Sequence, residues 1–276
     1  MSDRPSPVAI MVAPNGGRRI KADHPAIPLS PAELARCAAE CLDAGAAMMH
    51  VHVRKGDGTH LLDADAYRAA IAAIRAEVGD RLVVQITSEA LGVYAPAEQI
   101  AVVKAVRPQA ASLALREVAP DAAAEPAFLD LLGWMARERA APQIILYAPE
   151  EAVRLAALRD AGKLPWDDIP VLYVLGRYTP GQKSAPEDLL PFLDAGMPRF
   201  GHWSVCAFGQ REAACVTAGA LLGGHVRVGF ENNLQLPDGS IATSNAELVD
   251  TVAALLRGAG VRLADAEGLR RMWGIG

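Results

Sequence analysis

Two histidines one residue apart, His50 and His52, close the apolar run Ala46-Ala47-Met48-Met49. If that run is a buried strand, alternate side chains share a face, so both imidazoles project to one side and Val51 to the other. Far downstream, His225-Val226-Arg227-Val228-Gly229-Phe230-Glu231 reads as a second strand. Its alternation puts Val226, Val228 and Phe230 on one face and Arg227 and Glu231 on the opposite one. An arginine and a glutamate do not belong on an inward face unless that face lines a site. His50, His52 and Glu231 together offer a mixed nitrogen and oxygen donor set, which suits Zn²⁺ with one or two positions open to water or substrate. The same donors serve non-haem iron, so zinc is the preferred ion and not the sole one. Arg227 would lie beneath the ion. Its guanidinium keeps its proton and needs a partner, either a substrate carboxylate or developing oxyanion, or a salt bridge between strands.

The elements that must position these groups alternate along the chain. Strand-like runs at 8–13, 47–53, 82–87, 110–115, 143–148, 171–176, 200–207 and 226–231 are separated by helical patterns. Helix openings are legible at Ser30-Pro31-Ala32-Glu33, Ser184-Ala185-Pro186-Glu187 and Ser244-Asn245-Ala246-Glu247, and Gly162 and Gly196 are candidate left-handed helix ends. About eight βα units in one domain over 1–276 predict a closed TIM (β/α)8 barrel. An open doubly wound sheet would want Gly-x-Gly-x-x-Gly after the first strand, where this chain has Pro14-Asn15-Gly16-Gly17-Arg18. In a closed barrel the second and last strands both flank the first, roughly 10 Å apart, so side chains at their carboxyl ends can meet over the mouth. Gln85, Thr87 and Ser88 end the third strand and Ser112 sits in the fourth, as hydroxyl and amide donors for a bound oxyanion or as caps of the next helix.

Composition narrows the class of partner. With 276 residues, 51% of them hydrophobic, the chain can bury a sizeable core, and its net charge of -5 argues against a phosphate-backbone binder, so no nucleic acid is expected. No apolar stretch reaches membrane-spanning length, and the opening Met1 to Pro7 carries no apolar signal core, which together predict a cytoplasmic protein without a membrane partner. Cys37, Cys41, Cys206 and Cys215 read as buried small residues. His24, His60, His202 and His225 read as structural or solvent-facing, and the helix around Leu269 to Trp273 as a surface for a neighbour.

These residues, in their order, resemble the β-keto acid cleavage enzyme family. The likeness lies in the stretch 44–54 around His50-Val51-His52, in 223–233 around Arg227 and Glu231-Asn232-Asn233, and in 242–249, with echoes at 13–17 and 23–28. The resemblance implies a zinc-dependent TIM barrel that transfers the acyl part of a small-molecule β-keto acid onto coenzyme A, with acetyl-CoA as co-substrate and acetoacetate as product. It implies His50, His52 and Glu231 as zinc ligands, Arg227, Ser88, Ser112 and the position of Asn232 as catalytic, and Asn15, Arg18 and Thr87 as substrate-binding. It also implies a homotetramer.

Two positions depart from the family pattern. Where the family has an aspartate after the metal glutamate, this chain has Asn232, which has no useful basicity, so the base must lie elsewhere. Glu89, just beyond the third strand, is one candidate, but it reads first as a solvent-facing loop residue. Where amine-binding members carry a glutamate near the first strand, this chain has Arg18, which repels an ammonium and attracts an anion. The far end of the substrate is therefore expected to be neutral or carboxylated. A metal-dependent hydrolase or retro-aldol lyase is the enzymatic rival, and a catalytically degenerate metal-binding barrel is the other reading that Asn232 keeps open.

Overall fold

The computed structural model describes residues 6–275; Met1 to Pro5 and Gly276, the ends of the expected unit and most of its opening segment, lie outside the described residues. In chain order the strands are β1 (Val8–Val12), β2 (Met48–Val51), β3 (Val53–Arg54), β4 (His60–Leu61), β5 (Val83–Thr87), β6 (Ala110–Ala114), β7 (Ala141–Leu146), β8 (Val171–Leu175), β9 (Trp203–Ala207), β10 (His225–Val228) and β11 (Leu263–Ala264). Strands β1, β2 and β5 to β10 are parallel neighbours, and the pairing of β10 with β1 closes them into an eight-stranded barrel. The TIM barrel expected from the alternation is the fold. β3 and β4 form a small antiparallel ribbon beyond β2, and β11 adds to the amino end of β1.

Each strand buries both faces, as a parallel sheet under helices must. Ile10, Val12, Met49, Val51, Val84 and Ile86 pack outward on the helical ring. The inward set at the amino end, Ala9, Met11, Met48, Val83, Ala110 and Ala141, packs with Leu269, Trp273 and Ile275. The helix Ala266–Trp273 therefore closes the floor of its own barrel, and the expected packing of this segment on a neighbour is corrected: its apolar side is already covered.

Local chemistry explains where elements start. Ser30 caps the helix Pro31–Ala44 in a full capping box with Glu33, and Ser244 caps Asn245–Gly258. The third expected cap differs. Ala185 precedes a short 3-10 turn at Pro186–Leu189, while Ser184 turns inward to donate its hydroxyl to the Phe208 carbonyl at 2.7 Å. Gly162 is left-handed as expected, whereas Gly196 is not.

Candidate active site

The first ligand pair comes from the end of β2. His50 pairs with Gln85 in register, and the strand stops at Val51, one residue short of His52. Asn15 holds that break in place: its Nδ2 donates to the His52 carbonyl at 2.9 Å, and its Oδ1 accepts from the His52 N–H at 3.3 Å. With a second donation to the Pro28 carbonyl, the Asn15 amide is consumed as a backbone clamp and is not placed as a substrate contact. Arg54 secures the same loop from beneath, donating to the carbonyls of Asn15, Gly16, Gly58 and Arg19.

Glu231 arrives by a route that strand alternation does not describe. β10 ends at Val228, and Gly229 has φ +134°, where an added Cβ would lie 2.4 Å from the Ala13 carbonyl oxygen. Only glycine tolerates that turn. The chain then folds back, so that Glu231 N–H donates to Ala13 at 3.0 Å and the carboxylate comes over the barrel mouth. The expectation of a strand through Glu231 is thus corrected, although the carboxylate reaches the intended place. Gly16, at φ +58°, gives it room: a Cβ there would meet Glu231 Cγ at 2.6 Å.

The three groups converge closely. His50 Nε2 and His52 Nε2 lie 3.1 Å apart, and Glu231 Oε2 is 3.5 Å from the first and 3.4 Å from the second. Ligands about 2.0–2.1 Å from a tetrahedral zinc are separated by roughly 3.3–3.4 Å, so all three edges match such an ion. Glu231 Oε2 is buried without a hydrogen-bond partner, a cost that a cation would remove. Burial pushes His50 down to about 4 and His52 down to about 3, so both imidazoles are neutral ligands at ordinary pH. Burial alone would raise Glu231, but the Arg227 guanidinium holds its carboxylate well below the ordinary range.

An inner chain of amides orients His50. Its Nδ1 meets Gln85 Oε1 at 2.8 Å, Gln85 Nε2 donates to Gln143 Oε1 at 3.0 Å, and Gln143 Nε2 donates to Ser204 Oγ at 3.2 Å. Because Gln85 presents its oxygen, the His50 proton sits on Nδ1 and the lone pair of Nε2 faces the site.

Around the triad lies a small cavity with one polar and one apolar side. The polar side carries Thr87, Glu89, Ser112, Arg177 and Arg227; the other is formed by Ala114, Ile145, Val174 and Phe208. Arg227 is buried and donates through Nη2 to Glu231 Oε1 at 3.1 Å and Asn232 Oδ1 at 2.9 Å, leaving Nε unpartnered. Thus it is both a bridge within its own loop and a cation facing the cavity. Ser112 and Thr87 line the cavity, but the structure does not bring Ser88 there: its hydroxyl is spent on the Ser112 carbonyl at 2.9 Å. Arg18 is exposed and borders an adjoining recess with Arg177 and Glu231.

Glu89 corrects the solvent-facing alternative. It lines the cavity with Oε2 3.8 Å from His52 Nδ1 and Oε1 3.6 Å from Arg177 Nη2. Burial, reinforced by the charge of Glu231, pushes its carboxyl up to about 7. His60 also belongs to this surround, its ring 5.6 Å from that of His52 and its Nε2 2.7 Å from the Glu89 carbonyl. Three contributors went unread in the sequence: Arg177, Arg54 and Glu212. Arg177 follows the end of β8 and could have been found from that position alone, since barrel chemistry gathers at carboxyl ends of strands. Glu212 opens a helix, where an acid reads simply as a partner of the helix dipole.

Among the described residues no helix is long and apolar enough to cross a membrane. A family model described as beta-keto acid cleavage enzyme matches residues 7–275. A 3-keto-5-aminohexanoate cleavage enzyme of Fusobacterium nucleatum is 28% identical over 93% of this chain and 94% of its own length. A 3-oxoadipate:acetyl-CoA acetyltransferase of Cupriavidus necator is 27% identical over 98% of this chain and 95% of its own. A 3-dehydrocarnitine:acetyl-CoA trimethylamine transferase of Rhizobium meliloti reaches 31% over 91% and 90%. Among solved structures, the binary complex of ObcA with oxaloacetate superposes with a TM-score of 0.69 at 19% identity, covering 91% of this chain and 68% of that one, which speaks to the fold.

Proposed function

The chain belongs to the beta-keto acid cleavage enzyme family, and from that premise we propose that it is a zinc-dependent acyltransferase. It would take a β-keto acid and acetyl-CoA to acetoacetate and a new acyl-CoA. The observation that carries this reading is the triad of His50, His52 and Glu231 at tetrahedral edge lengths, with Arg227 bridging to it from inside the cavity. Bound there, zinc would supply Lewis acidity, lowering the energy of negative charge on the substrate's keto oxygen.

The protein's own groups divide the remaining work. Arg227 offers its unpartnered Nε–H to the substrate carboxylate or to charge developing beside it. Ser112 and Thr87 supply hydroxyl contacts on the same side. Glu89, at about 7, is poised to take the methylene proton at Oε2. The resulting carbanion displaces thiolate from acetyl-CoA. Return of the thiolate to the original keto carbon breaks the carbon–carbon bond, and Glu89 gives its proton back to the acetoacetate methylene. The apolar wall of Ile145, Val174 and Phe208 excludes water while the carbanion exists.

Arg177 and Arg18 set the far end of the substrate. Arg177 stacks near Phe208 at 5.1 Å, and its carboxylate neighbour Glu89 stands at 3.6 Å, too far for a tight ion pair. Both cations disfavour an ammonium, so a neutral or carboxylated far end is the fit. The same reading makes the enzyme a cytoplasmic homotetramer. Incubating zinc-loaded protein with a panel of β-keto acids, with and without acetyl-CoA, tests it. Acyl-CoA and acetoacetate should appear only with the thioester, and turnover without it would replace this reading with a hydrolase or lyase.

A further inference from the structure

Glu212 is a buried carboxylate that the proposed reaction leaves unused. Among the described residues no cation pairs with it. Its surroundings are donors: the Gly229 N–H at 3.2 Å and Asn232 Nδ2 at 3.1 Å reach Oε1, and Asn233 Nδ2 reaches Oε2 at 3.4 Å. Burial pushes this carboxyl up to about 8, against the opposing pull of the three N–H groups and Arg227.

The amide of Asn232 bridges the Glu212 carboxyl and the Arg227 guanidinium. Its donor end meets Glu212, and its acceptor end takes Arg227 Nη2 at 2.9 Å. Reversed, the amide would set its NH₂ against the guanidinium and its oxygen against Glu212 Oε1, the atom that already accepts the Gly229 N–H. Glu212 therefore provides the shorter of two acceptors, with the Arg227 carbonyl at 3.4 Å, that keep the donor end of Asn232 turned from the guanidinium. Arg227 Nη2 also donates to Glu231 at 3.1 Å, so the same contact steadies the proposed metal carboxylate.

We propose that Glu212 is a positioning residue that locks the Asn232 amide so that its Oδ1 holds Arg227 in the cavity. Asn232 is then a working part of the site and not a lost base, which answers the degenerate-barrel reading. The inference rests on the placement of Arg227 and not on the identity of the β-keto acid.

Exchange of the two side chains provides the test, because carboxylate and amide can trade places while a single change cannot be accommodated. Asn232→Asp puts two carboxylates about 3 Å apart, which forces one to take up a proton or the pair to separate. Glu212→Gln turns an NH₂ toward Asn233. In the Glu212→Gln, Asn232→Asp double variant the aspartate accepts from Arg227 and the glutamine donates to the aspartate, while the Gly229 N–H loses its acceptor, so the recovery is partial. In acyl transfer, kcat/KM should fall with Asn232→Asp and recover by about tenfold in the double variant, a strong positive coupling. Zinc affinity, read by competition with a chromophoric chelator, and the thermal midpoint should recover in the same order. If the two substitutions are additive, or if Asn232→Asp matches the native protein, the inference fails. Should the native protein cleave no β-keto acid, the proposed function fails, and the zinc and thermal measurements still decide this one.

Discussion

Metal uptake at about pH 6 offers a sharp measure of the site, because the structure states the protonation of each proposed ligand before the ion arrives. Free imidazoles with a pKa of about 6.5 are roughly three-quarters protonated at that pH, so binding at two such groups would release about 1.5 protons. In this barrel burial lowers His50 to about 4 and His52 to about 3. Fewer than about 0.02 protons then remain on the pair at about pH 6. Glu231 adds none, since Arg227 keeps it ionised against the effect of burial. A zinc-bound water with a pKa near 7 would contribute roughly 0.1. Calorimetric titration of Zn²⁺ into metal-free protein, in two buffers of different ionisation enthalpy, reads the number directly. In Glu89→Gln protein, which removes the cavity carboxyl that is raised to about 7 and would shed its own proton beside the ion, release below about 0.2 protons is expected. A value near 1.5 would mean that the imidazoles are solvated and charged before binding, and the absence of binding would remove the metal site altogether.

Other perturbations test separate parts of the arrangement. Replacing His50 or Glu231 by alanine should abolish bound metal in elemental analysis, and Gln85→Leu, which frees the His50 tautomer, should weaken zinc affinity by about tenfold. Arg227→Lys should cost about a hundredfold in kcat/KM with a small change in thermal midpoint, since a point charge cannot serve Glu231, Asn232 and a ligand together; a lower midpoint with activity retained would make the arginine structural. Arg177→Met should raise KM by about tenfold for β-keto acids with a carboxylated far end and leave neutral ones unchanged; equal effects on both would dissociate Arg177 from selectivity. His225, which accepts the Ala9 N–H at 3.1 Å, is lowered by burial to about 4. Between about pH 6.5 and 4 the unfolded chain therefore takes up a proton that the native state refuses, and stability should decline as pH falls, by up to about 3 kcal/mol from this residue. Urea unfolding across that range should show a flatter profile in His225→Asn.

Much of this protein is written in local sequence. The alternation of apolar runs with capped helices points to about eight βα units, and the lack of a Gly-x-Gly-x-x-Gly turn after the first strand favours a closed barrel over an open doubly wound sheet. His50 and His52 share a face because they are two residues apart, and any strand would place them so. The meeting of Glu231 with them is different in kind. It depends on β10 closing against β1, on the turn at Gly229 and on the space left by Gly16, all of which join residues more than two hundred positions apart. Burial likewise decided what composition could not: that Glu89 lies in the cavity, that Ser88 and Asn15 spend their polar atoms on backbone, and that Glu212 stands behind Asn232. Residue types and spacing determine which groups are able to do chemistry. Which of them remain free to do it depends on the neighbours that desolvate and hydrogen-bond them, and those neighbours are assembled only when the barrel closes.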